Sequence, residues 1–163
     1  MRTRPSHWIV AGTLATLALA ACGSDDEPAA GSPAPAGEAT STAPVSNACP
    51  VEGCEITFVD AAAEGDEIAV TWETNFAPDV SKNHIHIYWD IYTADEVTSD
   101  AEARDEQQGE WVPTDAVPTY VTESAVAVAE RGDSTMLCAT AADRDHVVLD
   151  SSIVDCIDVS DLL

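Results

Sequence analysis

The chain has 163 residues, room for one ordinary domain and a tail. Six Lys+Arg against 30 Asp+Glu give a formal charge of −24, which excludes unaided binding to nucleic acid, whose phosphates need cationic partners, and electrostatic attachment to anionic lipid. The 45% hydrophobic fraction overstates the core, because 27 of those residues are alanine.

The first 22 residues carry an address. Arg2 and Arg4 precede an apolar run over residues 9–21, too short to span a bilayer comfortably, which ends in small residues. This is the layout of an export signal. Leu19-Ala20-Ala21-Cys22 resembles a bacterial lipobox. The resemblance implies cleavage after residue 21, lipid on the thiol of Cys22, further acylation of its amino group, and attachment to the extracytoplasmic face of the cell membrane. Two or three acyl chains, at about 0.8 kcal/mol per buried CH₂, anchor stably where one does not.

Residues 22–48 read as a tether. Beyond Cys22 they hold four Pro and three Gly among Ala, Ser and Thr, with Val45 the one sizeable apolar side chain. Such a stretch buries too little to offset its ordering entropy. Composition changes at Cys49. Residues 49–163 form the expected domain, with 26 Asp+Glu against Lys82, Arg104, Arg131 and Arg144.

Strand composition begins at once over residues 55–60, and 61–65 can turn. Residues 66–74 alternate, with Ile68, Val70 and Trp72 on one side. Residues 83–93 show the clearest period two: Ile85, Ile87, Trp89 and Ile91 face one way, His84, His86, Tyr88, Asp90 and Tyr92 the other. Thr93-Ala94-Asp95-Glu96 reads as a capping box that opens a surface helix running to about Gln107, its apolar stripe limited to Ala94, Val97 and Ala101. A Pro-containing loop is expected over 111–118, and strands over 120–129, 134–141 and 152–159. The expected class is therefore mainly β: an antiparallel, immunoglobulin-like β-sandwich with one short surface helix.

With Cys22 assigned to lipid, Cys49, Cys54, Cys138 and Cys156 remain. An even number in an exported domain predicts two disulfides, with three connectivities open. Cys138 and Cys156 sit symmetrically about Val147, so a hairpin would place them opposite each other. That favours Cys138–Cys156, on the outer face, with Cys49–Cys54 closing a small loop. Asp155 falls on the apolar side of the same hairpin, where nothing in the sequence explains it.

The chemistry concentrates in Asn83-His84-Ile85-His86-Ile87-Tyr88-Trp89-Asp90. Alternate histidines on a strand point both imidazoles to one side, as Zn²⁺ or Cu²⁺ requires. The domain's third histidine, His146, lies in Asp143-Arg144-Asp145-His146. If the central strand and last hairpin share a sheet, His146 comes near His84, with Asp143 or Asp145 as a fourth ligand. The competing reading is that the imidazoles bond to neighbours and cover the sheet. Gly-x-Ser-x-Gly, a phosphate loop and CxxC are all missing. Ser124 or Ser134 could be joined to His146 only on paper.

The stretches Asn83–Asp90 and Asp143–His146 also resemble parts of uncharacterised envelope lipoproteins of high-GC Gram-positive bacteria. That resemblance implies a compartment and no activity. The first expectation is thus a lipid-anchored, non-enzymatic protein with no cofactor, whose domain binds a protein or small ligand or plays a structural part. The second is a metal-binding surface lipoprotein that takes Cu or Zn. The third is an envelope hydrolase.

Overall fold

The computed structural model describes residues 45–163. The expected export signal of residues 1–21, the expected lipidation site at Cys22 and the expected tether up to residue 44 lie outside the described residues. Residues 46–48, assigned above to the tether, are tied into the domain. The amide of Asn47 donates to the carbonyls of Ala77 and Asn83, and Ala77 N–H donates to Ser46 O.

Seven strands form two antiparallel sheets among the described residues. The first sheet runs β1 (Ile56–Glu64), β2 (Glu67–Thr74), β5 (Thr119–Val121). The second runs β4 (Val112–Thr114), β3 (His84–Trp89), β6 (Met136–Ala142), β7 (Val154–Asp158). β1 extends four residues past its expected end, because Glu64 pairs with Glu67 and the chain reverses at Gly65, whose φ of +66° suits glycine. β4 was not expected. It is an edge strand, which is where Pro113 costs no ladder bond.

One continuous apolar cluster draws on both sheets. It contains Ile68, Val70 and Trp72 of β2, Tyr120 of β5, Ile85, Ile87 and Trp89 of β3, and Leu137, Ala139 and Ala141 of β6. Each such large apolar side chain contributes about 1.5–3 kcal/mol on burial. The two indoles are satisfied as they go in: Trp72 Nε1 donates to Ala116 O and Trp89 Nε1 to Val126 O.

Four expectations need correction. No α-helix follows Thr93. The capping box forms, with Thr93 N–H and Oγ1 both donating to Glu96 Oε2 at 2.8 and 2.9 Å. Yet only a 3₁₀ turn at Ala101–Arg104 appears. Ser99 N–H, which a helix would give to the carbonyl four residues back, goes instead to His146 O. The expected stripe of Ala94, Val97 and Ala101 is buried rather than on the surface.

The strand expected over 120–129 stops at Val121. Glu67 Oε2 captures Thr122 Oγ1 and Val128 N–H, and the chain between breaks into short 3₁₀ turns. The long strand over 83–93 ends at Trp89, which leaves Ile91 exposed instead of in the core.

Both expected disulfides are present, Cys49–Cys54 and Cys138–Cys156, and the second joins directly paired residues of β6 and β7. Its outer face is open at one end and covered at the other: Cys156 is exposed, as expected, while the β6 end is covered. Cys138 is buried with Tyr88, Val97 and Val148 in a second apolar cluster. The puzzling Asp155 has a partner on the other sheet: its Oδ2 accepts Phe58 N–H at 2.7 Å. That amide sits where the β1–β2 register slips between Phe58 and Asp60. A bulge leaves a donor without its ladder partner, and the carboxylate supplies one.

Candidate metal centre

β3 is the central element of the site. It pairs with β4 on one side and β6 on the other, and all six of its residues are buried. Its Ile–Ile–Trp face goes into the main core. Its His84–His86–Tyr88 face is covered as well, by residues 93–111 and the loop between β6 and β7. Imidazoles on this face therefore cannot rely on water and must be satisfied locally.

The β6–β7 loop delivers the third imidazole. Asp143 Oδ1 accepts the amides of Asp145 and Val147, and Asp143 N–H and O bond to Val147 O and His146 N–H. This tight closure puts His146 at φ +62°, a left-handed conformation that costs a non-glycine residue roughly 1–2 kcal/mol. Its carbonyl is held by Ser99 N–H at 2.9 Å.

The three rings converge. His84 Nε2 lies 3.1 Å from His86 Nε2 and 3.0 Å from His146 Nδ1, and His86 Nε2 lies 3.4 Å from His146 Nδ1. Trp111 stacks on His86 with centroids 3.7 Å apart and 16° between planes, and its ring lies 5.2 Å from that of His146.

The backbone assigns the tautomers. His84 Nδ1 is 3.1 Å from Lys82 O, and His86 Nδ1 is 2.7 Å from Val97 O. A carbonyl only accepts, so both Nδ1 atoms carry protons. Burial holds both rings neutral: it lowers the pKa of His86 to about 3 and that of His84 below its usual value, against the opposing pull of the two carbonyls. Neutral rings protonated at Nδ1 have bare Nε2 atoms. Two lone pairs thus face each other at 3.1 Å, and a neutral His146 brings at most one proton for both. A cation at the centre would satisfy all three nitrogens at once.

The triangle suits such an ion. Its sides of 3.1, 3.0 and 3.4 Å are short enough for His84, His86 and His146 to hold one small ion in common, and an all-imidazole donor set would suit Zn²⁺ or Cu²⁺. The carbonyl bonds to Nδ1 are also what orients histidine ligands in metal sites generally.

The structure thus brings together His84, His86 and His146 and not Asp143 or Asp145: among the described residues no carboxylate oxygen joins the converging ligand atoms. Asp143 instead shapes the loop, and Asp145 is exposed beside Arg144. Ser134 Oγ bonds to the carboxylate of Asp90 and to Met136 O rather than to a histidine. Sequence reasoning missed Val97, Ser99 and Trp111. Val97 acts through its carbonyl and Ser99 touches His146 through its amide, contacts that leave no side-chain signal; Trp111 falls in the expected Pro-containing loop. No family model, curated protein or solved structure matches this chain.

Proposed function

We propose that this is a lipid-anchored cell-envelope protein whose β domain binds one borderline divalent ion, Zn²⁺ or Cu²⁺, through His84, His86 and His146. The observation that carries the metal reading is the convergence of three imidazole nitrogens, those of the buried His84 and His86 and of the half-buried His146, the first two left bare by the backbone contacts of their own rings. The N₃ donor set suits these ions and not Ca²⁺ or Mg²⁺, which take oxygen. Face-to-face packing of the two sheets as an immunoglobulin-like sandwich would explain the core they share. The domain binds rather than converts: it is a non-enzymatic module held at the membrane through Cys22, with a tether over the residues before 45.

Elemental analysis of the oxidised full chain, purified without chelator, tests the metal. About one equivalent of Zn or Cu in the wild type and a loss in His84→Ala are expected; a metal-free chain that takes up neither ion overturns it. Cys22→Ala tests the anchor. The variant should leave the membrane fraction or remain unprocessed, and a cleaved variant that still partitions with membrane removes lipid on Cys22 as the attachment.

A further inference from the structure

Residues 90–111 connect β3 to β4, two neighbouring antiparallel strands, so the segment leaves and returns at one place. It is longer than the ~12–15 residues beyond which structureless connections are uncommon and usually functional. It holds no α-helix, yet Ala94, Val97, Thr98 and Ala101 are buried.

What it covers is the histidine cluster. Val97 O accepts His86 Nδ1–H at 2.7 Å. Ser99 N–H donates to His146 O at 2.9 Å, and Ser99 Oγ donates to Asp145 O at 2.6 Å. Thr98 Oγ1 accepts Val148 N–H at 3.1 Å and shares its one proton between Asp100 at 2.7 Å and His146 O at 3.3 Å. At its far end Trp111 lies flat on His86. The segment thus touches two of the three imidazole residues, one through the ring and one through the backbone.

We propose that residues 93–111 form a metal-linked strap: occupation of the three-histidine site and docking of this segment are one coupled equilibrium. The inference rests on the metal-binding reading above and says how that site is regulated. With the strap docked, Val97 O keeps the His86 proton on Nδ1 and leaves Nε2 free to ligate. The contacts from Thr98 and Ser99 hold the His146 backbone in its left-handed turn, so that Nδ1 faces β3. Undocking releases both constraints, and the apo site then faces an entropy cost to reassemble. An ion that ties His146 to His86 makes undocking harder in turn. Linkage requires the two effects to be equal: whatever factor docking adds to metal affinity, metal adds to docking.

Outer contacts that orient metal ligands typically contribute 10–100-fold to affinity. Ser99→Ala removes the bond to Asp145 O from an exposed side chain that touches no ligand. It should weaken Zn²⁺ binding about two- to fivefold, less than the loss of a partner bonded to a ligand itself, because Ser99 N–H still holds His146 O. Thr98→Val removes three contacts of a buried hydroxyl and should weaken it more. If Thr98→Val fails to fold, Ser99→Ala carries the test alone.

Hydrogen exchange on the oxidised full chain, with and without one equivalent of Zn²⁺, reads the reverse effect. Zn²⁺ should slow exchange at least tenfold over both 93–111 and 143–148, leave the β1–β2 hairpin unchanged, and have no such effect in His146→Ala. Calorimetry on the same samples separates the two claims. If wild type binds Zn²⁺ but exchange over 93–111 is the same with and without it, the strap is overturned and the metal site stands. Unchanged affinity in Ser99→Ala and Thr98→Val overturns it likewise. If wild type binds no Zn²⁺, the metal reading itself fails and the strap with it.

Discussion

Removal of one imidazole should collapse metal binding, and the size of the collapse follows from the donor count. In His86→Ala the remaining nitrogens, His84 Nε2 and His146 Nδ1, stand 3.0 Å apart. They still chelate, but as a pair in place of a tripod. Structural Zn²⁺ sites with four ligands reach apparent affinities of about 10–16 kcal/mol, or about 2.5–4 kcal/mol per ligand. Loss of one donor at that rate is a factor of about 10²–10³ in Kd. The surface complicates the measurement, since 26 carboxylates in residues 49–163 attract cations diffusely. Salt separates the two, because diffuse attraction is screened at ~0.5 M ionic strength while direct coordination persists. Calorimetric titration of the full chain at high salt, on wild type and on His84→Ala, His86→Ala and His146→Ala, should show about one equivalent in the first and a loss of that size in each variant. Binding that vanishes with salt, or that is indifferent to His86→Ala, refutes the site and returns the histidines to an ordinary covered sheet face.

Asp155→Ala strands Phe58 N–H at the β1 bulge and should cost about 1–3 kcal/mol, read as a lower urea midpoint at unchanged m. Peptide mapping under non-reducing conditions should yield Cys49–Cys54 and Cys138–Cys156; selective loss of the second, through a Cys138→Ser/Cys156→Ser pair, should cost about 3 kcal/mol for a separation of 18 residues. Without metal, stability should fall as pH drops from 6.5 toward 4. His86 in the unfolded chain takes up a proton there while the folded one, with its pKa near 3, does not, so stability is full above 6.5 and decreases by about 3 kcal/mol by pH 4. The lowered carboxyls of Asp79, Asp150 and Asp158 begin to act about one pH unit above their ordinary pKa of 3.8, so urea midpoints between about pH 5 and 6.5 isolate the histidines. A flat profile over that interval contradicts a buried neutral His86.

The β character was legible because alternation is a local signal. Ile68-x-Val70-x-Trp72 and Ile85-x-Ile87-x-Trp89 each declare one face, and those faces are in the shared core. The hairpin argument for Cys138 and Cys156 worked for the same reason: β6 and β7 are adjacent in sequence and in the sheet. What failed depended on distant partners. Residues 93–107 carry a helix start signal, and the box at Thr93 and Glu96 does form, but Ser99 N–H is taken by His146 O from 47 positions along the chain. Residues 120–129 lose their strand to the carboxylate of Glu67. Local propensity gave way in both places to a single tertiary hydrogen bond network.

The site was legible by residue type and illegible by setting. His84 and His86 share a face by period two, and His146 is the other histidine of residues 49–163, so the trio could be named. Whether three histidines make a metal centre or a hydrogen-bonded surface depends on where their protons sit, and that is decided by two backbone carbonyls. Lys82 O lies two residues from His84 and Val97 O eleven from His86. Neither carbonyl depends on its own side chain, so no pattern of residue types marks it. Nearby aspartates drew attention because carboxylates are visible in a sequence; Asp143 in fact contributes by folding the loop that aims His146. A hydrogen-bonded surface would need donors and acceptors to alternate around the three rings. With both strand Nδ1 protons already committed to carbonyls, three nitrogens within 3.4 Å share at most one proton when all three rings are neutral, and the arrangement is short of positive charge at its centre. A divalent ion would supply that charge without either strand imidazole changing the bond it makes to the backbone.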